Sequence, residues 1–273
     1  MRKKFKEFKN ELKRARKEKR SSSIIVYFIL RALVIACMVL EFLRGDLNNA
    51  ALCLLSLILF LIPFFIERKF KIDLPNTLEI IIMLFIFSAE ILGEINNFYG
   101  IIPYWDTLLH TLNGFIAAGI GFALIDLLNQ NTKSINLSPV FVAIVSFCFS
   151  MTIGIMWEFF EYTADKYFST DMQKDRIIKK INSVKLNEDG KNIPFSIDNI
   201  DKTTIYYTDK SGNQTSTTIN KGYLDIGLID TMKDLFVNFI GALCFSIFGY
   251  LYILNRDKYH FITNFIPQKV LKE

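Results

Sequence analysis

The sequence predicts an all-α polytopic membrane protein: six transmembrane helices, with a small β-rich extracytoplasmic insert between helices five and six. Three observations carry this. Of the 273 residues 51% are hydrophobic, 26 are Phe, and the mean hydropathy is +0.29, which is too apolar for an ordinary soluble domain. Six stretches have, or nearly have, the roughly 20 apolar residues that cross a bilayer core. One long polar stretch, residues 166–229, interrupts them.

The chain opens with a basic segment, residues 1–22, expected in the cytoplasm. It carries eleven Lys or Arg against three Glu. Its spacing suits a helix lying on anionic lipid headgroups, and equally a solvated tail that sets topology. The first span, 24–43, is about 20 residues long and is preceded, not followed, by the small residues SSS. It therefore reads as an uncleaved helix and not as a signal peptide. The second span, 50–66, is short, and the third, 77–92, is interrupted by Glu90. The fourth, fifth and sixth cover 106–128, 140–162 and 232–254. The domain limits that follow are 24–163 for helices one to five, 164–229 for the insert, 230–254 for helix six and 255–273 for a cytoplasmic tail.

Orientation follows the positive-inside bias. Arg68, Lys69 and Lys71 mark one loop as cytoplasmic, and Arg256, Lys258, Lys269 and Lys272 mark the tail. The loop at Arg44 has a single basic residue and 93–104 has none. Both termini are thus expected inside a bacterial cytoplasmic (inner) membrane. The insert lies outside, since long loops translocate largely regardless of charge. Within it, β-rich runs bracket EDG and DKSG turn signals, which read as one or two hairpins; a helix over 172–181 is expected to lead into them. Cys37, Cys53, Cys148 and Cys244 all fall within spans without a CxxC pair; Cys37 and Cys53 are expected at similar depth, as two buried thiols and not a bonded pair. There is no glycine loop for nucleotides and no sign of a nucleic-acid partner; the expected surroundings are membrane lipids.

Ionisable residues inside spans are costly and mark functional candidates. On the fourth span Asp106 and His110 are one turn apart, followed on the same stripe by Gly114, Ala118 and Gly121, small residues that admit a neighbouring helix. On the fifth, Glu158, Glu161 and Asp165 share a face; on the sixth, Asp230, Asp234 and Asn238 do so, with Gly241 three residues on. Glu90 and Glu94 add acids to the third. Bland readings stand beside these: Asp230 as a helix N-cap, Glu161 and Asp165 as a solvated helix end. The inner halves are expected to be apolar except for Arg31 and Glu79, which could pair.

The array Asp106-x3-His110-x3-Gly114-Phe115, then Glu158-x2-Glu161, then Asp230-Thr231-x2-Asp234 with Gly241-Ala242-Leu243, resembles the YjdF family of bacterial inner-membrane proteins. More distantly it is similar to VanZ-like proteins, which share the Asp234-x3-Asn238-x2-Gly241 pattern. The resemblance covers roughly 77–254 without the insert. It implies a shared fold and site more than a reaction, and hints at the cell envelope. The family has a short glycine-rich stretch before the last span where this chain has about 60 residues; whether Asp225 replaces its loop Asp stays open. Several carboxylates with one imidazole repel one another unless protonated or bound to a cation. The donor set favours Mg2+, Mn2+ or Ca2+ over structural zinc. Three readings remain open. One is a membrane enzyme acting on a lipid-linked headgroup or other envelope substrate, with His110, Asp106 and Glu158 catalytic and Glu158, Glu161, Asp230 and Asp234 holding metal. The second is a noncatalytic envelope protein with a structural polar cluster, and the third a proton- or cation-coupled transporter. Oligomeric state is not legible.

Overall fold

The computed structural model describes residues 2–70, 72–131 and 137–269, with side chains at 22–69, 72–129 and 137–268. The basic run's contact with lipid therefore lies outside the described side chains. Helix α1 (Arg2–Arg44) joins that run to the first span without a break. Gly45, at φ +81°, ends it, the left-handed conformation that favours glycine. Asp46 then caps α2 (Leu47–Leu59) by accepting the Asn49 N–H at 3.0 Å. After a turn at Phe60 and Leu61 comes α3 (Ile62–Phe70), so the second span is two helical pieces and longer than its sequence suggested.

Strand β1 (Ile72–Asp73) leads to α4 (Asn76–Ile86), which continues as a π-helix over Phe87–Ile95. Such wider turns are rare and concentrate at functional positions; this one carries Glu90 and Glu94. Among the described residues five helical segments are long and apolar enough to cross a membrane: Ser22–Arg44, Leu47–Lys69, Trp105–Asn129, Pro139–Phe168 and Leu228–Leu254. The α-to-π segment over 76–95 is not one of them. A short α5 (Phe98–Ile101) precedes α6 (Trp105–Asn131), and the Trp105 indole donates to the Ser88 carbonyl at 3.3 Å, tying α6 to the π-helix. Helix α7 (Pro139–Phe168) follows.

The insert holds β2 (Ile177–Ile178), β3 (Ile181–Ser183), β4 (Phe195–Ile197), β5 (Lys202–Thr208), β6 (Gln214–Asn220) and β7 (Tyr223–Leu224). They pair antiparallel as β2 with β7, β3 with β4 and β5 with β6. Both predicted turns lie where the signals stood, DKSG joining β5 to β6 and EDG lying between β3 and β4. The helix expected over 172–181 does not form. The backbone N–H groups that would begin it are taken by distant carboxylates instead: Asp165 accepts from Met172 and Gln173, Asp230 from Lys174, and Asp225 from Arg176. Helix α8 (Leu228–Leu254) precedes a 3-10 turn (His260–Asn264) and β8 (Gln268–Lys269), which pairs with β1.

The chain divides into two compact units, residues 1–154 with 237–273, and residues 155–236. In the first, α6 is clasped closely. A Cβ on Gly114 would sit 2.2 Å from the Asn238 carbonyl oxygen, and one on Gly241 would sit 2.0 Å from that of Thr111. Ser146 and Ser150 donate to the carbonyls of Ala118 and Gly114 at 2.6 and 2.7 Å. One core gathers Phe122, Val142, Phe245 and Tyr252 with Ile262 and Ile266; a second gathers Leu30, Val34, Cys53, Phe60 and Met83. The segment after α8, read from sequence as a tail, thus packs into the core because Ile262, Phe265 and Ile266 share an apolar face. Of the two thiols expected to be buried, Cys53 is buried and Cys37 is half-buried; Cys148 and Cys244 are exposed. Arg31 donates to the Tyr27 hydroxyl at 2.6 Å and forms no pair with Glu79.

Candidate functional site

Helix α6 delivers Asp106 and His110 one turn apart, and His110 Nε2 lies 3.3 Å from Asp106 Oδ1. His110 is nearly buried and Asp106 is partly exposed. One turn further in, Asn113 Nδ2 donates to Asn238 Oδ1 at 3.3 Å, and Asn238 Nδ2 points at Met151 Sδ at 3.6 Å. Asn238 is 1% exposed. Gly154 gives it room, since a Cβ there would lie 2.5 Å from its amide nitrogen. Asn113 was not anticipated from sequence, although its three-residue spacing from His110 on a polar stripe was a usable signal.

In the second unit Glu158, Glu161, Asp230 and Asp234 are all buried. Glu161 accepts from the Trp157 indole at 2.7 Å, and Lys233 Nζ lies 3.8 Å from Asp234 Oδ1. Asp230 is engaged on both oxygens, accepting the Lys174 N–H at 2.9 Å and the Arg176 guanidinium at 2.7 Å. The capping role expected of Asp230 falls to Asp225, which accepts the Ile229 N–H at 2.8 Å. Asp165 closes the end of α7 through Thr170, Met172 and Gln173. Asp165 with Asp171 and Asp175 edges an open cavity of about 260 Å3. The Asp175 carboxyl is raised by partial burial, then by Asp171, Asp225 and Asp165.

Asp225 gives a testable pH dependence. Burial pushes its carboxyl up, but the N–H groups of Arg176, Ile229 and Gly227 outweigh it and hold the group below its usual value. A depressed folded-state pKa stabilises above the unfolded value near ~3.9 and is lost as pH falls through the folded one. Hydrogen exchange at the Arg176 amide should stay protected until the pH drops below about 4. Asp225→Asn should expose it at neutral pH.

The Asp106 carboxylate and the His110 imidazole, 3.3 Å apart on α6, are ligand types that suit a hard or borderline divalent cation.

The Asp126 end of α6 departs from expectation. Asp126, 6% exposed, holds Arg256 through contacts of 2.7 and 3.2 Å, and the guanidinium stands over the Tyr252 ring at 4.9 Å. An acid within this apolar helix was missed because Arg256 read only as a topology marker.

A family model described as a predicted membrane protein, DUF2238, matches residues 25–185. A curated relative, described as an uncharacterized protein of Thermotoga maritima, is 25% identical over 104 residues, which are 38% of this chain and 52% of that protein. The matched region thus spans about half the length of the relative. No solved structure matches.

Proposed function

The chain belongs to the DUF2238 family of predicted membrane proteins, and from that premise we propose that it is a metal-dependent enzyme of the bacterial inner membrane acting on a lipid-linked phosphate or similar envelope headgroup. It crosses the membrane six times in this reading, with the α-to-π segment over 76–95 as the third span. Both termini are cytoplasmic and the insert is outside; the Lys and Arg distribution supports this. The likeness to YjdF and VanZ-like proteins fits an envelope role by analogy only.

The observation that carries the proposal is the Asp106–His110 pair, one turn apart on α6 with His110 Nε2 3.3 Å from Asp106 Oδ1. In this reading the pair, with the Asp234 carboxylate expected from the stripe on α8, holds a divalent cation, which when bound supplies Lewis-acid polarisation of a phosphoryl oxygen. Glu158, buried on α7, serves as the proton-handling group, and Glu161, fixed by the Trp157 indole, as a further donor. Asp230, with both oxygens engaged, orders the approach to the site and is not a ligand. The aromatic core of Phe115, Phe122 and Phe245 beyond Asn238 argues against transport, because a relay needs polar groups through the inner half.

Melting of the detergent-solubilised protein tests it. Mn2+ or Mg2+ should raise the melting temperature of the unmodified chain, because a ligand bound to the native state stabilises it by mass action. Asp234→Asn and His110→Ala should each abolish most of that rise. A second reading, a noncatalytic polar cluster, draws support from Asp165, Asp225 and Asp230, whose carboxylates serve backbone anchoring. It predicts that no divalent ion changes the melting and that each substitution lowers it equally with and without metal.

A further inference from the structure

The chain after α8 turns back into the first unit. Arg256 stands beside Asp126 near the C-terminal end of α6, with a contact of 2.7 Å. Nine residues later the Phe265 carbonyl oxygen lies 3.0 Å from where a Cβ on Gly119 would be, and the Phe265 ring is 5.4 Å from that of Phe115. Gly119 is seven residues up α6 from Asp126 and Phe115 eleven, or roughly 10 and 16 Å at 1.5 Å per residue. The segment has therefore climbed to the middle of a 27-residue helix. It then descends to β8, where Gln268 and Lys269 pair with Asp73 and Ile72. Irregular backbone at membrane depth is tolerated only when buried in protein or lining a water-filled cavity. Here Ile262 is 0% and Ile266 6% exposed, and Pro267 is buried. Phe115, Phe245 and Phe265 meet edge to face at 5.0 and 5.4 Å, on the Asp126 side of the Asn113–Asn238 hydrogen bond.

We propose that residues 256–268 form a re-entrant seal, latched at one end by the Asp126–Arg256 ion pair and at the other by the β1–β8 pairing. It isolates the Asn113–Asn238 pair from water at the Asp126 end of the unit. The ion pair is the weaker latch because the Arg256 side chain is 42% exposed, so loosening it lets the aromatic plug withdraw while the helices stay assembled. The segment is thereby a gate on that end, and this holds whether or not the proposed site binds metal.

The test uses the full chain reconstituted in vesicles, with the four cysteines replaced by Ser and one reporter, Ser246→Cys, at a buried position next to Phe245. A small water-soluble methanethiosulfonate should leave the reporter unlabelled in the otherwise unmodified sequence. Arg256→Met, and separately Ile262→Ala with Phe265→Ala, should speed labelling at least tenfold. Cross-linking Cys placed at Phe115 and Phe265 should restore protection in the Arg256→Met background, which separates gating from unfolding. Equal labelling with and without the latch substitutions, whether fast or absent, would overturn the seal, as would labelling of the cross-linked protein at the Arg256→Met rate.

Discussion

Gly241→Ala and Gly114→Ala should each destabilise the helical unit by about 3 kcal/mol or more. The added methyl meets backbone that cannot rotate away, the Thr111 carbonyl oxygen at 2.0 Å in one case and that of Asn238 at 2.2 Å in the other. Relief requires separating α6 from α8, which also stretches the Asn113–Asn238 hydrogen bond. Gly154→Ala should do less, since its clash at 2.5 Å is with the Asn238 side-chain amide, which can turn at the loss of one hydrogen bond worth about 1 kcal/mol. Thermal unfolding in detergent should rank the three in that order. Equal midpoints for Gly241→Ala and the parent protein would mean that the close crossing does not exist.

Arg256→Met should be the most damaging charge removal at the Asp126 end of α6, at about 2–4 kcal/mol, because it takes the guanidinium away from the buried Asp126 carboxylate. The lower part of that range is expected, since half-exposed guanidinium gains less from pairing than a buried one. Asp126→Asn in the same background should recover part of the loss by removing the stranded charge. If the double variant is no more stable than Arg256→Met alone, the coupling between the two residues is absent. An upward shift of the melting midpoint in the double variant by several degrees is the expected reading.

The helices were legible because their signal is local: a run of apolar residues about 20 long has few fates other than a span. The hairpin turns were legible for the same reason, Gly212 supplying the φ of +85° that DKSG announces. The region 172–181 was not. Its pattern suits a helix, but its N–H groups are claimed by Asp165, Asp225 and Asp230, up to 56 residues away, and propensity yields to tertiary partners. Asp230 shows the same limit within the candidate site. A carboxylate in an acidic stripe looks like a ligand until its partners are known, and here they are Lys174 and Arg176.

Sequence alone determined the membrane class, the extent of most apolar helices, the interruption near Glu90 and the three stripes that carry His110, Glu158 and Asp234. All of these rest on spacing and composition within a single segment. Only tertiary structure decided which acids anchor backbone, that Asp126 holds Arg256, and that the segment after α8 turns back to Gly119. Those outcomes depend on contacts between residues distant in the chain. A side chain's role there is set by what lies within hydrogen-bond reach, about 3 Å, which spacing along one helix does not encode.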